Sequence, residues 1–253
     1  MQSVIQPRPW RCCRARRIKA DYQVARSSHA GRIAALYSRL AWLYDPFTDH
    51  ELPHHLRAVE LAAIQPGEAV LEVACGTGRA TALLAQALGK DGRMQAVDLT
   101  PAMLAKARAK LARLGLLERV ELRQASALAL PHADNSFDLL YNSYMFDLVD
   151  SSQMPAILAE FGRVLKPGGR LVLVDMSKQG GGRTPYEWLY ERGLLSFVSG
   201  ACRPVLMRPL VEAAGFAEVS REYRKNRSLF PLNWLHGSEI VTARKPASET
   251  GTP

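Results

Sequence analysis

The sequence predicts an α/β protein in which a mostly parallel sheet is covered by helices on both faces. Three observations carry that reading. Apolar runs of strand character alternate with segments of helical periodicity from about residue 69 to residue 175. The stretch VLEVACGTGRAT (70–81) passes from a buried strand (Val70, Leu71, Val73) through Gly76 and Gly78 into a helix carrying Leu83, Leu84, Ala87 and Leu88. Asp98 ends the next apolar run, twenty residues beyond Gly78. At that spacing an acid at the tip of the neighbouring parallel strand can take the two hydroxyls of a ribose. Strand, glycine turn and helix together make a nucleotide cradle, because glycine lets the backbone approach a ligand and a helix N-terminus offers unpaired N–H groups.

Taken in order, residues 1–28 hold seven Arg and Lys against the single acid Asp21 and show little periodicity, which predicts a disordered basic tail. An organelle-targeting peptide, a tail for anionic surfaces and an over-extended start all fit that composition. Ala30–Leu43 has helical spacing, Asp45-Pro46 breaks it, and a second helix is expected from His54 to Ile64. The core is then read as strand 69–73, helix 78–89, strand 93–98, helix 101–114, strand 119–123, strand 137–142, helix 153–165 and strand 170–175. Pro101 and Gly115 punctuate the second of these helices, and Lys166-Pro167-Gly168-Gly169 reads as a turn. After a glycine-rich joint come helices at Tyr186–Val198 and Arg208–Gly215, and strands near 217–224 and 238–243. The apolar stretch LFPLNWLHG (229–237) is read as a cap over a pocket, as a contact with a lipid surface, or as packing against Tyr186–Val198.

The boundaries are therefore a basic tail 1–28, one domain 29–245 divided into a lid (29–63), a core (64–178) and a cap with the last strands (179–245), and a frayed tail 246–253. Of the formal net charge of +9, only +3 remains outside the tail, so the basicity is no groove stripe for nucleic acid. No apolar run approaches the roughly 20 residues of a membrane span. Cys12, Cys13, Cys75 and Cys202 make neither a CxxC nor a plausible disulfide scaffold, so a cytoplasmic protein without a metal site is expected. Cys75 reads as a small residue packing under the glycine turn rather than as a nucleophile.

Two details choose among nucleotide cofactors. Glu72, ahead of the glycines, would repel a pyrophosphate but suits a ligand with a cationic centre. The third glycine of the dinucleotide pattern is replaced by Thr81. Both favour S-adenosylmethionine over NAD or FAD. Four stretches, VLEVACGTG (70–78), AVDLTPAMLAKA (96–107), ALALPHADNSFDLLYNS (127–143) and FGRVLKPGGRLVLVDMSK (161–178), resemble the class I S-adenosylmethionine-dependent methyltransferases. The likeness is strongest to the ubiquinone/menaquinone C-methyltransferase-like group and covers residues 64–178.

The resemblance implies a Rossmann-like three-layer fold with a seven-stranded sheet, an N-terminal helical lid and a small helical cap before the last two strands. It also implies a cofactor site drawn from Glu72, Ala74, Gly76, Thr77, Gly78, Asp98, Leu99, Met103, Ser126, Ala127, Asn142 and Ser143. Gly76, Thr77 and Gly78 would shape its methionine end, Asp98 would take the ribose, and Leu99 and Met103 would flank the adenine. Ser126 departs from the Asp or Asn usual at its position, and Tyr37 and Tyr44 match lid positions.

Methyl transfer from a sulfonium needs a positioned acceptor in a dry site more than it needs a catalytic group. A general base is required only where the acceptor must lose a proton, and Tyr37, Tyr44, His50, His54, His55 and Asp147 are the candidates. The histidines among them read individually as surface or capping residues. The expected acceptor is a small or lipid-like molecule, with quinone- or phenol-like C- or O-methylation favoured and a peripheral membrane contact through 229–237. A phospholipid or small-amine N-methyltransferase is the first alternative. A nucleic-acid methyltransferase is disfavoured because the fourth strand ends in NSYM rather than a DPPY-like tetrad. A non-catalytic cofactor-binding protein is the last alternative.

Overall fold

The computed structural model describes residues 49–89, 92–177, 188, 204–225 and 237–247. The expected basic tail, most of the lid with Tyr37 and Tyr44, the 186–198 helix apart from Trp188, the 229–237 stretch apart from Gly237, and the end of the C-terminal tail lie outside these residues.

A 3-10 turn, Asp49–Glu51, leads into α1 (Leu52–Ala62). There follow β1 (Val70–Val73), α2 (Arg79–Ala87), β2 (Met94–Asp98), α3 (Pro101–Arg113), β3 (Val120–Gln124) and β4 (Phe137–Ser143). Then come α4 (Met154–Val164), β5 (Leu165–Ser177), α5 (Met207–Ala213), β6 (Ala217–Lys225) and β7 (Gly237–Arg244). The strands form one seven-stranded sheet in the order β3-β2-β1-β4-β5-β7-β6. The first five in that order run parallel, and β7 is antiparallel to both β5 and β6. The Rossmann-like, mostly parallel sheet expected from the sequence is thus the observed fold.

Strand alternation sends Leu71, Val73 and Leu140 to a core beneath α4 and α5, with Ile157, Phe161 and Val211. Val70, Leu139 and Tyr141 go to the opposite core beneath α1, α2 and α3, with Ala58, Leu84 and Leu111. Each fully buried Leu contributes roughly 1.5–3 kcal/mol relative to an exposed one. Covered on both faces, β1 reads as an unbroken apolar run interrupted only by Glu72.

One expected feature is corrected. Lys166-Pro167-Gly168-Gly169 is not a turn between a helix and a strand but part of β5, which begins directly after α4. The register jumps from Phe137↔Leu165 to Leu139↔Arg170, so the extra residues form a bulge against β4. Lys245 closes that bulge: its N–H donates to Gly169 O, and its carbonyl accepts from Gly168 N–H, both at 2.9 Å. The strand bulges there without leaving the ladder.

Candidate functional site

In an open α/β sheet, ligands bind beyond the carboxyl ends of the strands where the strand order reverses. Here that point is β1, flanked by β2 on one side and β4 on the other. A cavity of about 230 Å³ opens there, with Ala74, Gly76, Thr77, Asp98, Leu99, Met103, Ser126, Ala127 and Ser143 among its lining residues. Four separate sequence stretches predicted to converge do so.

The glycine turn is fixed from three sides. Cys75 N–H donates to Val97 O at 3.0 Å, which ties the turn to β2. Asp98 accepts from Gly76 N–H through Oδ2 at 2.9 Å and from Thr100 N–H through Oδ1 at 2.8 Å. Lys110 Nζ, from α3, donates to Thr77 Oγ1 at 3.1 Å. Asp98 is thus held by the glycine turn through Gly76 N–H and by the backbone and side chain of Thr100, while the group still faces the cavity. Burial pushes its pKa up against these two backbone donors. Cys75, also on the wall, is held as a thiol by burial and by the charges of Glu72 and Asp98, so it is no ready nucleophile.

Glu72, Gly78 and Asn142 are absent from the cavity wall and lie behind it. Glu72 shares the α1–α3 face of β1 with Val70, because side chains alternate along a strand. It is 1% exposed, and neither carboxylate oxygen has a hydrogen-bond partner of good geometry. Burial pushes its pKa up to about 8, with Thr81 pulling down and the Asp98 charge adding to the rise. Gly78 has φ +81°, and a Cβ there would stand 3.0 Å from Ala107 of α3, so this glycine sets how closely the turn packs on that helix. Asn142 Nδ2 donates to Val73 O at 2.8 Å and braces the end of β1.

Among the candidates for a general base, His50 is half-buried in the 3-10 turn, and Asp147 is buried with its backbone N–H on Asp175 Oδ1 at 3.2 Å. Neither reaches the cavity wall, nor does His54. The expectation of surface or capping histidines is corrected for His54 and His55, which are 3% and 4% exposed. The apolar face of α1 is short of large side chains, and the two imidazoles fill that space. His55 does reach the cavity. Its Nδ1 is 3.0 Å from Tyr141 Oη, its Nε2 is 3.9 Å from Glu51 Oε2, and its ring stands edge-on to Tyr144. Burial, with the nearby charges of Arg79, His54 and Lys110, lowers its pKa to about 3, so the imidazole is neutral.

Sequence reasoning missed Glu51, Arg79 and Tyr144 as wall residues. The one available signal was that Glu51 and His55 are four apart, one turn of a helix. Among the described residues no group of three or more His, Cys, Asp or Glu side chains gathers as a metal site. No described helix is long and apolar enough to cross a membrane.

Comparison with known proteins bears on the same segment. Residues 70–169 match the family model of a methyltransferase domain. A ubiquinone/menaquinone biosynthesis C-methyltransferase, UbiE, of Teredinibacter turnerae is 37% identical over 155 residues, covering 59% of this chain and 61% of the relative. The Klebsiella pneumoniae protein of the same name is 35% identical over 161 residues, covering 61% and 63%. The chain thus spans about three fifths of the length of the curated relatives it matches. Among solved structures, a SAM-dependent methyltransferase from Aquifex aeolicus is 25% identical with a TM-score of 0.57, covering 82% of this chain and 97% of that one. The cyclase SpnF superposes with a TM-score of 0.62 at 22% identity, covering 76% of this chain and 81% of its own, so the fold by itself does not specify a reaction. The family match and the curated relatives fall on the segment that carries the sequence motifs: residues 70–169 match a methyltransferase domain.

Proposed function

We propose that the chain is an S-adenosylmethionine-dependent methyltransferase, working as one domain over residues 29–245 and acting on a small acceptor with an apolar body. The observation that carries this is the cavity at the β1 switch point, where the glycine turn, Asp98 and the β4 end meet. The donor set fits a cationic nucleoside cofactor. Asp98 suits a ribose, the open space beside Gly76 leaves room for an amino-acid end, and the Asp98 carboxylate opposes a pyrophosphate. Asp98 would hold the ribose hydroxyls, Gly76 and Thr77 the methionine end, and Leu99, Met103, Ser126 and Ala127 the adenine, while Ser143 closes the β4 side. Gly78 and Asn142 act from behind the wall by setting the turn. When bound, the cofactor supplies an activated methyl group. The protein's part is to exclude water and hold the acceptor in line with it.

The relatives' names and the apolar wall formed by Met145, Leu148, Val149 and Ile157 support a quinol- or phenol-like acceptor. A lipid-like acceptor would bring the chain to a membrane surface without crossing it. Isothermal calorimetry with S-adenosylmethionine tests the reading. Asp98→Ala should weaken binding by roughly 2–4 kcal/mol, the size of lost charge-assisted contacts. Unchanged affinity would count against the assignment, and transfer to amine but not phenol acceptors would redirect the acceptor class.

A further inference from the structure

The α1 edge of the cavity holds a side-chain arrangement to which the cofactor reading above gives no role. Glu51 and His55, one turn apart, both line the wall beside Ser143 and Tyr144. His55 is anchored through Nδ1 to Tyr141 Oη at 3.0 Å. Tyr141 is fully buried, and burial raises its pKa well above the ordinary value, so its phenol keeps the proton, with Ser143 as a second partner of the same hydroxyl. The imidazole is neutral, and in the tautomer whose Nδ1 accepts from the Tyr141 phenol the hydrogen is on Nε2, which lies 3.9 Å from Glu51 Oε2. That gap is too long for a direct hydrogen bond. One oxygen placed beside it can lie roughly 2.8 Å from both atoms, accepting from Nε2–H and donating to the carboxylate. A hydroxyl can do both at once, and an ammonium cannot accept.

Resting on the methyltransferase reading above, we propose that Glu51 and His55 bind the hydroxyl of a phenol or hydroquinone acceptor and that Glu51 removes its proton. The O–H bond breaks, the proton passes to Glu51 Oε2, and the electron pair stays on the acceptor oxygen, where His55 Nε2–H steadies it. That pair then forms the bond to the methyl carbon, either from the oxygen or through the ring from the neighbouring carbon. The carbon–sulfur bond breaks with its pair going to sulfur, so a sulfonium becomes a neutral thioether. After attack through carbon, loss of the ring proton to water restores the aromatic ring. Among the described residues, the charged and titratable groups around the pair include Arg79 of α2, Lys110 of α3, His54 of α1, Glu72 of β1, Asp175 of β5, Tyr141 of β4, and Tyr144 just after it. Arg79 and Lys110 favour an anionic oxygen at this edge.

The test uses the full chain loaded with S-adenosylhomocysteine and two probes of nearly equal shape, 2-naphthol and its methyl ether. The wild type should bind the naphthol at least about tenfold more tightly than the ether, as expected for a hydrogen bond to a charged group. Glu51→Gln should abolish the preference. His55→Asn, which keeps an amide near the Nδ1 position but lacks Nε2, should reduce it. With S-adenosylmethionine, methyl transfer to naphthol by Glu51→Gln should fall about a hundredfold near neutral pH and recover as pH nears the naphthol's own ionisation, roughly 9–10. A structural role for Glu51 would not give that recovery. Equal affinity for naphthol and ether in the wild type, or a preference that survives in Glu51→Gln, overturns the assignment. Failure of S-adenosylhomocysteine to bind counts against the methyltransferase reading instead, because the naphthol preference is measurable with or without it.

Discussion

Ala74 has φ +61° and Tyr144 has φ +48°, and both line the cavity at the ends of adjacent strands. A side chain in the left-handed region costs roughly 1–2 kcal/mol, and such strain concentrates where a site must be shaped. Ala74→Gly should therefore raise stability by about 1 kcal/mol in urea denaturation, strain relief outweighing the added freedom of the unfolded chain. Gly78→Ala should do the reverse. It combines φ +81° with a 3.0 Å approach to Ala107, and a loss of roughly 2–4 kcal/mol is expected from the same measurement. At this scale the sequence was legible where a residue's type forces its role. Gly76 and Asp98 were expected at one site from a tight turn and an acid at the next strand tip, and both line the cavity. The strain at Ala74 could not be seen, because alanine carries no mark of a positive φ. Glu72 was assigned to the ligand side, yet it lies on the face of β1 behind the wall, since linear spacing does not say which way a strand residue faces.

Elements succeed or fail together with what pins them. Arg170 of β5 forks onto Glu68, with Nη1 to Oε1 at 2.7 Å and Nη2 to Oε2 at 2.5 Å, and its Nε donates to Ala62 O at 3.0 Å. One guanidinium thus joins the end of α1, the α1–β1 connection and β5. Lysine cannot reproduce three directed donors. Arg170→Lys should cost roughly 1.5–3 kcal/mol in thermal or chemical denaturation. Because α1 carries His55, it should also speed hydrogen exchange in that helix more than in β1. Most element boundaries were readable to within one or two residues, since the period changes sharply between strands and helices. The exception, Lys166–Gly169, has every mark of a turn. Only the pairing of Lys245 with Gly168 and Gly169, some eighty residues apart in the chain, keeps it in the ladder. Glu51, Arg79 and Tyr144 were unreadable for the same reason, since helix packing and strand ends bring them to the cavity.

For the molecule as a whole, two buried groups on the same sheet face set opposite pH limits. Glu72 is raised from 4.5 to about 8, so from pH 4.5 upward the unfolded chain ionises while the folded one stays protonated, and stability falls as pH rises towards 8. His55 is lowered from 6.5 to about 3, so below pH 6.5 the unfolded chain gains a proton that the folded chain refuses, and stability falls as pH drops towards 3. The two slopes oppose each other between 4.5 and 6.5. Between pH 6.5 and 8 Glu72 alone costs about 2 kcal/mol. Melting temperatures of the ligand-free chain should show this. The gap between Glu72→Gln and wild type should widen in favour of the variant from pH 5 to 8, and the corresponding gap for His55→Asn should widen from pH 6.5 downward. The mostly parallel sheet with helices on both faces was legible from alternation, whereas the strand order comes from the pairing of the strands and the pH limits depend on burial that no sequence pattern reports.

The hold of α3 on the glycine turn, through Ala107 against Gly78 and Lys110 on Thr77, carries a lesson for protein engineering. A nine-residue insert copied from 70–78 into a foreign sheet would arrive without the two anchors that lie some thirty positions downstream. The smallest transplantable unit is therefore the continuous segment from Val70 to Lys110, and chimaeras cut anywhere inside it should lose their ligand before they lose their fold.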